Sequence, residues 1–174
     1  MRALRAGDER FAPDAYPFGK ADGSFFLGGG DAADPLPAGP PLLAYGANAS
    51  PERLASKLGP ETRVAGLAGV LRGWAIVHSA HVSPYGAVPA TLVPAAGAEA
   101  AVHVLLLDDP APLDVTEPNY HRRTLTGLDL EVERLGRLES VHAYVSKWGP
   151  LEVDGRPVPL GSLSQEELLR RLRA

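Results

Sequence analysis

The apolar positions of this chain fall into short runs separated by glycine, and most runs are too short to be helices. Leu42, Leu43 and Ala44 form one run, and residues 102–107 form another that is almost wholly apolar. Short aliphatic runs bounded by glycine are typical of strands. The pattern predicts strands at residues 42–45, 63–71, 74–78, 90–94, 102–107, 128–134 and 141–146, with turns or bulges at the intervening glycines.

Helical signals are fewer. Ser50 and Pro51 form an N-cap and first-turn pair that predicts a helix over residues 51–58, and a short helical piece is expected around residues 110–116. Ser164 and Glu167 form a capping-box pattern that opens a third helix over residues 165–172. Because strands outnumber helices and do not alternate with long ones, the pattern favours an α+β fold. We expect a small mixed sheet, curled or closed into a β-barrel, with a few flanking helices.

The first forty residues differ from the rest. They contain a run of three glycines at positions 28–30 and the proline-rich stretch 35–40, without a sustained period of 2 or 3.6. Such a segment is typical of an extended arm. Five aromatic residues within it indicate that the arm packs on the domain or on a partner. The sequence thus predicts an N-terminal arm, residues 1–40, and one domain, residues 41–174, that folds without it.

The composition argues against several classes of protein. The 174 residues carry a net charge of −4, so a basic face for duplex nucleic acid is not expected. No apolar stretch approaches the length of a transmembrane helix or a signal-peptide core, which makes a cytoplasmic protein without membrane contact the expectation. The chain has no cysteine, and therefore no disulfide, thiolate nucleophile or cysteine-based metal site.

The segment Tyr45-Gly46-Ala47-Asn48 lies between the first apolar strand and the helix signal at Ser50. Gly46 lets the backbone turn, or approach a ligand, without a Cβ clash. A turn of this kind directs several backbone N–H groups at one point, which suits a carboxylate or a developing oxyanion. The alternative is an ordinary corner between a strand and a helix.

A second segment, residues 113–122, reads Leu-Asp-Val-Thr-Glu-Pro-Asn-Tyr-His-Arg and follows the apolar run 102–107. Together the two segments resemble the gamma-glutamyl cyclotransferase-like family, whose pattern is Tyr-Gly-Ser-Asn after a strand and, downstream, Leu-Asp, an acidic residue followed by glycine, and Tyr-x-Arg. The resemblance extends from Leu42 to Trp148 and implies a small β-barrel with flanking helices. Ala47 and Pro118 depart from the family's usual serine and glycine.

The resemblance also implies a reaction. In a gamma-glutamyl amide the substrate's own α-amino group attacks the γ-carbonyl, closes a lactam and releases an amine and 5-oxoproline. This acyltransferase needs no enzyme nucleophile and no cofactor, because intramolecular attack has a large effective molarity. Glu117 matches the family's general acid/base. Backbone amides of Tyr45, Gly46, Ala47 and Asn48 would hold the oxyanion or the glutamyl carboxylate.

Further binding roles remain open. Tyr120 and Arg122 would share a face of an extended segment, so that Arg122 either holds a carboxylate or braces Glu117. Asn48 either contacts the ligand or orients the turn. The expected partner is a small gamma-glutamyl compound. The rival interpretation is a non-catalytic module that binds a small carboxylate or a peptide end, which the departures at Ala47 and Pro118 favour.

No metal or nucleotide site is expected. His78 and His81 lie three positions apart in the segment after Trp74, and in an extended segment their side chains would face opposite ways. The sequence contains neither a Gly-x-Gly-x-x-Gly run opening a helix nor a phosphate loop.

Overall fold

The computed structural model describes residues 11–28 and 34–173, and these form eight strands and three α-helices. The strands are β1 (Phe25–Leu27), β2 (Leu42–Ala44), β3 (Val64–His78), β4 (Ala90–Leu107), β5 (Tyr120–Val132), β6 (Gly136–Ser146), β7 (Glu152–Val153) and β8 (Arg156–Pro157). The helices are α1 (Pro51–Leu58), α2 (Ala111–Asp114) and α3 (Gln165–Leu172). The predicted α+β class is confirmed.

Five strands close into a barrel in the order β3, β4, β2, β6, β5, with β5 pairing back onto β3. Every pairing is antiparallel except that of β2 with β6. Strand β1 occupies the part of the same β3 edge that β5 leaves uncovered, at residues 64–66. The curled or closed sheet expected from the sequence is therefore a closed barrel with one added strand.

Strand β2 is buried on both faces, which explains its uninterrupted apolar run. Leu43 packs inside the barrel with Leu67 and Val104, whereas Leu42 lies in a second cluster. That cluster is on the helical side and includes Leu54 of α1. The strand thus holds α1 against the barrel wall and carries the chain directly into the turn at Tyr45.

Several predicted strand boundaries are wrong. Strand β3 runs through Gly73, where the register shifts and φ is +78°, and β4 runs through Gly97 at the same φ. These glycines kink long strands instead of ending them, because the pairing of β3 with β4 continues on both sides. Strands β5 and β6 also begin earlier than predicted, and β1, β7 and β8 were not predicted.

The helix boundaries at α1 and α3 agree with the prediction. The Ser50 hydroxyl oxygen accepts a hydrogen bond from the Arg53 backbone N–H at 3.2 Å, and Ser164 caps Glu167 in the same way at 3.2 Å. Of the helical piece expected at 110–116, only Ala111–Asp114 is helical. No helix within the described ranges is long and apolar enough to span a membrane.

The described part of the arm packs on the barrel. Phe11 and Phe18 are buried, at 7% and 4% exposure, and β1 pairs antiparallel with β3. The Ser50 hydroxyl donates a hydrogen bond to the Phe18 carbonyl at 2.5 Å, which ties the arm to the start of α1. Residues 1–10 and 29–33 of the arm, including two of its three consecutive glycines, lie outside the described residues. The five barrel strands all come from residues 41–174, and the independent folding of that segment stays a prediction.

Candidate functional site

A cavity of about 1050 Å³ lies where the end of β2, the helix α1, the segment before β5 and the arm meet. Residues 79–89, which connect β3 to β4, form part of its wall. The predicted site residues Tyr45, Gly46, Ala47, Asn48, Glu117 and Tyr120 all line this cavity. The fold therefore brings together two motifs that are about seventy residues apart in sequence.

The turn after β2 is a single 3-10 turn, Ala47–Ala49, preceded by Gly46. Gly46 has φ −118° and ψ −131°, so it does not adopt the left-handed region that favours glycine. Within the described ranges, the backbone N–H groups of Gly46, Ala47 and Asn48 donate no hydrogen bond to a protein atom. This pattern leaves the donors on the cavity wall available to a carboxylate or an oxyanion.

Glu117, Lys57 and Asn48 form a closed triad in the cavity wall. Lys57 Nζ donates to Glu117 Oε1 at 2.6 Å and to Asn48 Oδ1 at 2.7 Å, and Asn48 Nδ2 donates to the same Oε1 at 3.0 Å. The side chains of Lys57 and Glu117 are only 7% and 12% exposed. Both donors converge on Oε1, and Oε2 forms no hydrogen bond with any described residue. Asn48 therefore orients the triad rather than only the turn.

Burial and charge act in opposite directions on Lys57. Desolvation lowers the pKa of the Lys57 ammonium, while the charge of Glu117 and its hydrogen bond raise that pKa. A buried ammonium and a buried carboxylate that share short hydrogen bonds stabilise each other in their charged forms.

Buried tyrosines surround the triad. Tyr120 Oη donates to the Ala90 carbonyl at 2.8 Å, Tyr45 Oη donates to the Tyr144 carbonyl, and Tyr144 Oη donates to Asp114 Oδ1 at 2.6 Å. Burial raises the pKa of all three phenols above the ordinary value near 10. They remain protonated at neutral pH, and their hydrogen bonds fix the wall of the cavity.

Arg122 is not among the residues that line the cavity. Its guanidinium lies 3.1 Å from Asp114 Oδ2 and is about one-third exposed. Asp114 also accepts from Tyr144, so this carboxylate links Arg122 to a residue that lines the cavity. Neither the carboxylate-holding role nor direct bracing of Glu117 is seen in this arrangement.

Lys57 and His81 are two of the cavity-lining residues that were not expected in the site from the sequence. Lys57 lies in the last turn of α1, where a lysine is usually solvated, and nothing in its neighbourhood signals the pairing with Glu117. His81 was considered only as a metal ligand. Its Nδ1 lies 2.8 Å from Ser79 Oγ, its ring packs edge-on against Tyr120, and its buried Nε2 has no hydrogen-bond partner within the described ranges. Burial lowers the pKa of this imidazole, which favours its neutral form.

The far side of the cavity is aromatic. The Arg53 guanidinium lies 4.8 Å from the ring centres of Phe11 and Tyr85 and 5.4 Å from that of Phe18. Two of these rings belong to the arm, so that cation–π contacts attach the arm to α1 beside the site. Among the described residues, no cluster of three His, Cys, Asp or Glu side chains is placed to hold a metal ion.

Comparisons with known proteins add little to this geometry. No protein-family model and no curated protein matches the chain. Among solved structures, the chain is similar to the solution structure of At5g39720.1 from Arabidopsis thaliana, at 17% sequence identity. The match covers 76% of this chain and 82% of that chain, with a TM-score of 0.46.

Proposed function

We propose that this protein is a cofactor-independent cyclotransferase of the gamma-glutamyl cyclotransferase-like type. Its substrate is a gamma-glutamyl amide or peptide, and its products are 5-oxoproline and an amine. The observation that carries the proposal is the position of Glu117. Its carboxylate lies in the cavity wall, 3.0 Å from Asn48 of the turn, and its Oε2 is not engaged by the described protein atoms.

The reaction that the resemblance implies proceeds by proton transfers through Glu117. Glu117 Oε2 takes a proton from the substrate's α-ammonium, and the freed amine attacks the γ-carbonyl carbon to form the lactam C–N bond. The N–H groups of Ala47 and Asn48 stabilise the resulting oxyanion or hold the α-carboxylate. The C–N bond to the leaving amine then breaks as Glu117 returns its proton to that nitrogen. Glu117 next takes the second proton from the lactam nitrogen and passes it to the released amine, which departs as an ammonium ion. Atoms and charge balance without a metal, nucleotide or enzyme nucleophile.

The Lys57 ammonium has a defined part in this scheme. It neutralises Glu117 from the side opposite to the free oxygen and keeps the carboxylate from rotating away. A bound carboxylate and a developing oxyanion also gain from a fixed cation nearby, since the surroundings are of low dielectric. This positioning by Lys57 supports a role for Glu117 as a general base that acts through Oε2 alone.

The same ion pair is the observation that favours the rival function, a non-catalytic module that binds a small carboxylate. The Lys57 ammonium, 2.6 Å from Glu117 Oε1, gives the cavity a fixed cation that can hold a ligand carboxylate whether or not a reaction follows. Ala47 and Pro118, which replace the family's serine and glycine, are consistent with a site that binds without turnover. Both functions use the same cavity, so that only a reaction assay separates them.

The deciding experiment follows 5-oxoproline release by mass spectrometry from a panel of gamma-glutamyl amides with charged, aliphatic and aromatic leaving amines. N-acetylated versions of the same compounds serve as matched controls, because a blocked α-amine cannot close the ring. We expect release from at least one free compound and none from its acetylated control. Binding of several compounds without any 5-oxoproline would contradict the enzyme and support the binding module.

A further inference from the structure

Tyr16 is a residue of the N-terminal arm whose hydroxyl reaches the cavity. Its Oη accepts a hydrogen bond from the Ala90 backbone N–H at 2.8 Å. The hydroxyls of Tyr45, Tyr120 and Tyr144 all donate to protein oxygens. That of Tyr16 has no acceptor for its hydrogen among the residues that the structure describes. A phenol that accepts from the backbone and retains a free hydrogen is polarised toward donating.

Gly46 provides the space that the Tyr16 hydroxyl occupies. A Cβ at position 46 would lie 2.5 Å from Tyr16 Oη and 3.2 Å from the Ala90 Cβ. The φ of Gly46, −118°, lies outside the left-handed region, so the observation that bears on glycine at this position is the close approach of Tyr16 Oη. The Tyr16 hydroxyl therefore lies against Gly46, the first of the three turn residues whose backbone N–H groups donate to no described protein atom.

The hydroxyl is protonated over the physiological range. Burial raises the pKa of Tyr16 well above its ordinary value, and the nearby carboxylate of Glu117 acts in the same direction. A neutral donor beside a backbone N–H cradle suits an oxygen with negative charge, because each hydrogen bond to such an oxygen is charge-assisted.

We propose that the arm is part of the substrate site and that Tyr16 Oη–H donates a hydrogen bond to a carboxylate or carbonyl oxygen of the ligand held at residues 45–48. This inference rests on the proposed function, since it assigns a residue to the same site. It extends the site beyond the two motifs to a segment that carries no family signature. Tyr16 is thus a binding residue, and Gly46 positions it.

The test uses 5-oxoproline and its carboxamide as probes in calorimetric titrations, with turnover of the best panel compound as a second reading. We expect Tyr16→Phe and Gly46→Ala each to weaken 5-oxoproline binding roughly 10- to 100-fold, the usual loss for one charge-assisted hydrogen bond. In the double variant the losses should not multiply, because the added Cβ then has no hydroxyl to displace. Gly23→Ala is the matched control: a Cβ there meets nothing within 4 Å, and we expect unchanged binding.

The carboxamide locates the acceptor. If the hydroxyl contacts the carboxylate, Tyr16→Phe weakens 5-oxoproline more than the carboxamide, because only the carboxylate gives a charge-assisted hydrogen bond. Equal losses for the two probes place the contact at the ring carbonyl. Thermal unfolding of each variant checks the fold. Tyr16→Phe could fail to fold because the Ala90 N–H loses its acceptor. In that case the 5-oxoproline affinities of Gly46→Ala and Gly23→Ala are compared instead.

Each failure has its own signature. If Tyr16→Phe binds and turns over substrate as well as the wild type does, the role of Tyr16 is overturned and the proposed cyclotransferase activity stands. Losses that multiply in the double variant would overturn the link between Gly46 and the hydroxyl. A wild type that neither binds nor converts any gamma-glutamyl compound would overturn both proposals.

Discussion

Lys57 Nζ lies 2.6 Å from Glu117 Oε1, in a pair that joins the last turn of α1 to the segment before β5. Neither side chain is more than 12% exposed. Because both groups are withdrawn from water, removal of either leaves the other buried without its partner. The expected catalytic group is therefore also part of what holds α1 to the barrel.

Removal of the cation should destabilise the protein. Lys57→Met leaves the Glu117 carboxylate buried with only Asn48 as a donor, and we expect a loss of about 3–5 kcal/mol in the free energy of unfolding. The double variant Lys57→Met/Glu117→Met should recover much of that loss. Urea unfolding measures both, and Lys147→Met, at an exposed lysine, is the control. Equal stability of Lys57→Met and wild type would contradict a mutually dependent pair.

Loss of the carboxylate should stop the chemistry. Glu117→Gln keeps an oxygen for Lys57 and Asn48 but cannot carry a proton, and we expect turnover to fall by on the order of 10² to 10⁴. Because the Lys57 ammonium loses its counter-ion, the unfolding temperature should also fall, so that rates are compared well below it. Glu52→Gln, at an exposed glutamate of α1, should leave turnover unchanged. Normal turnover in Glu117→Gln would rule out this residue as the acid/base.

Alkaline pH should weaken the fold through its buried phenols. Burial raises the pKa of Tyr85 to about 12, whereas a tyrosine in the unfolded chain ionises near 10. The folded pKa is the higher one, so the stabilising contribution is complete below pH ~10 and is lost as pH rises toward 12. This one residue should account for up to about 3 kcal/mol of that loss.

The comparison is between wild type and Tyr85→Phe, which keeps the ring against Arg53 and Phe18. Unfolding free energies from urea titrations at pH 9, 10, 11 and 12 should fall less steeply for the variant. Parallel curves would show that Tyr85 titrates alike in both states.

Deletion of the arm should separate stability from binding. All five barrel strands lie beyond residue 40, so we expect a chain of residues 41–174 to unfold cooperatively. It should do so at a lower temperature, since the deletion removes the buried Phe11 and Phe18 and strand β1. Its affinity for 5-oxoproline should be no better than that of Tyr16→Phe. A truncated chain without a cooperative transition would place the arm in the core.

Local signals made the helices predictable. Ser50 and Ser164 each cap a helix through a contact three residues away, and both boundaries agree with the structure. The strand ends predicted at Gly73 and Gly97 were wrong because pairing between distant segments sets where a strand continues. The pairing of β3 with β4 continues past both glycines. The two motifs indicated Asn48 and Glu117, which the fold does bring together. Lys57 and Tyr16 reach the site only through tertiary packing, of which a single sequence carries no local sign.

The position of strand β2 between β4 and β6 affects how the barrel can move. The β3–β4 and β5–β6 pairs are two long hairpins, joined along one side at residues 69–72 and 129–132. Along the other side the three residues of β2 lie between them, pairing with β4 on one edge and with β6 on the other. The turn at Tyr45 continues directly from β2. Any relative movement of the two hairpins therefore displaces this turn, and a ligand held there, as proposed, would oppose that movement.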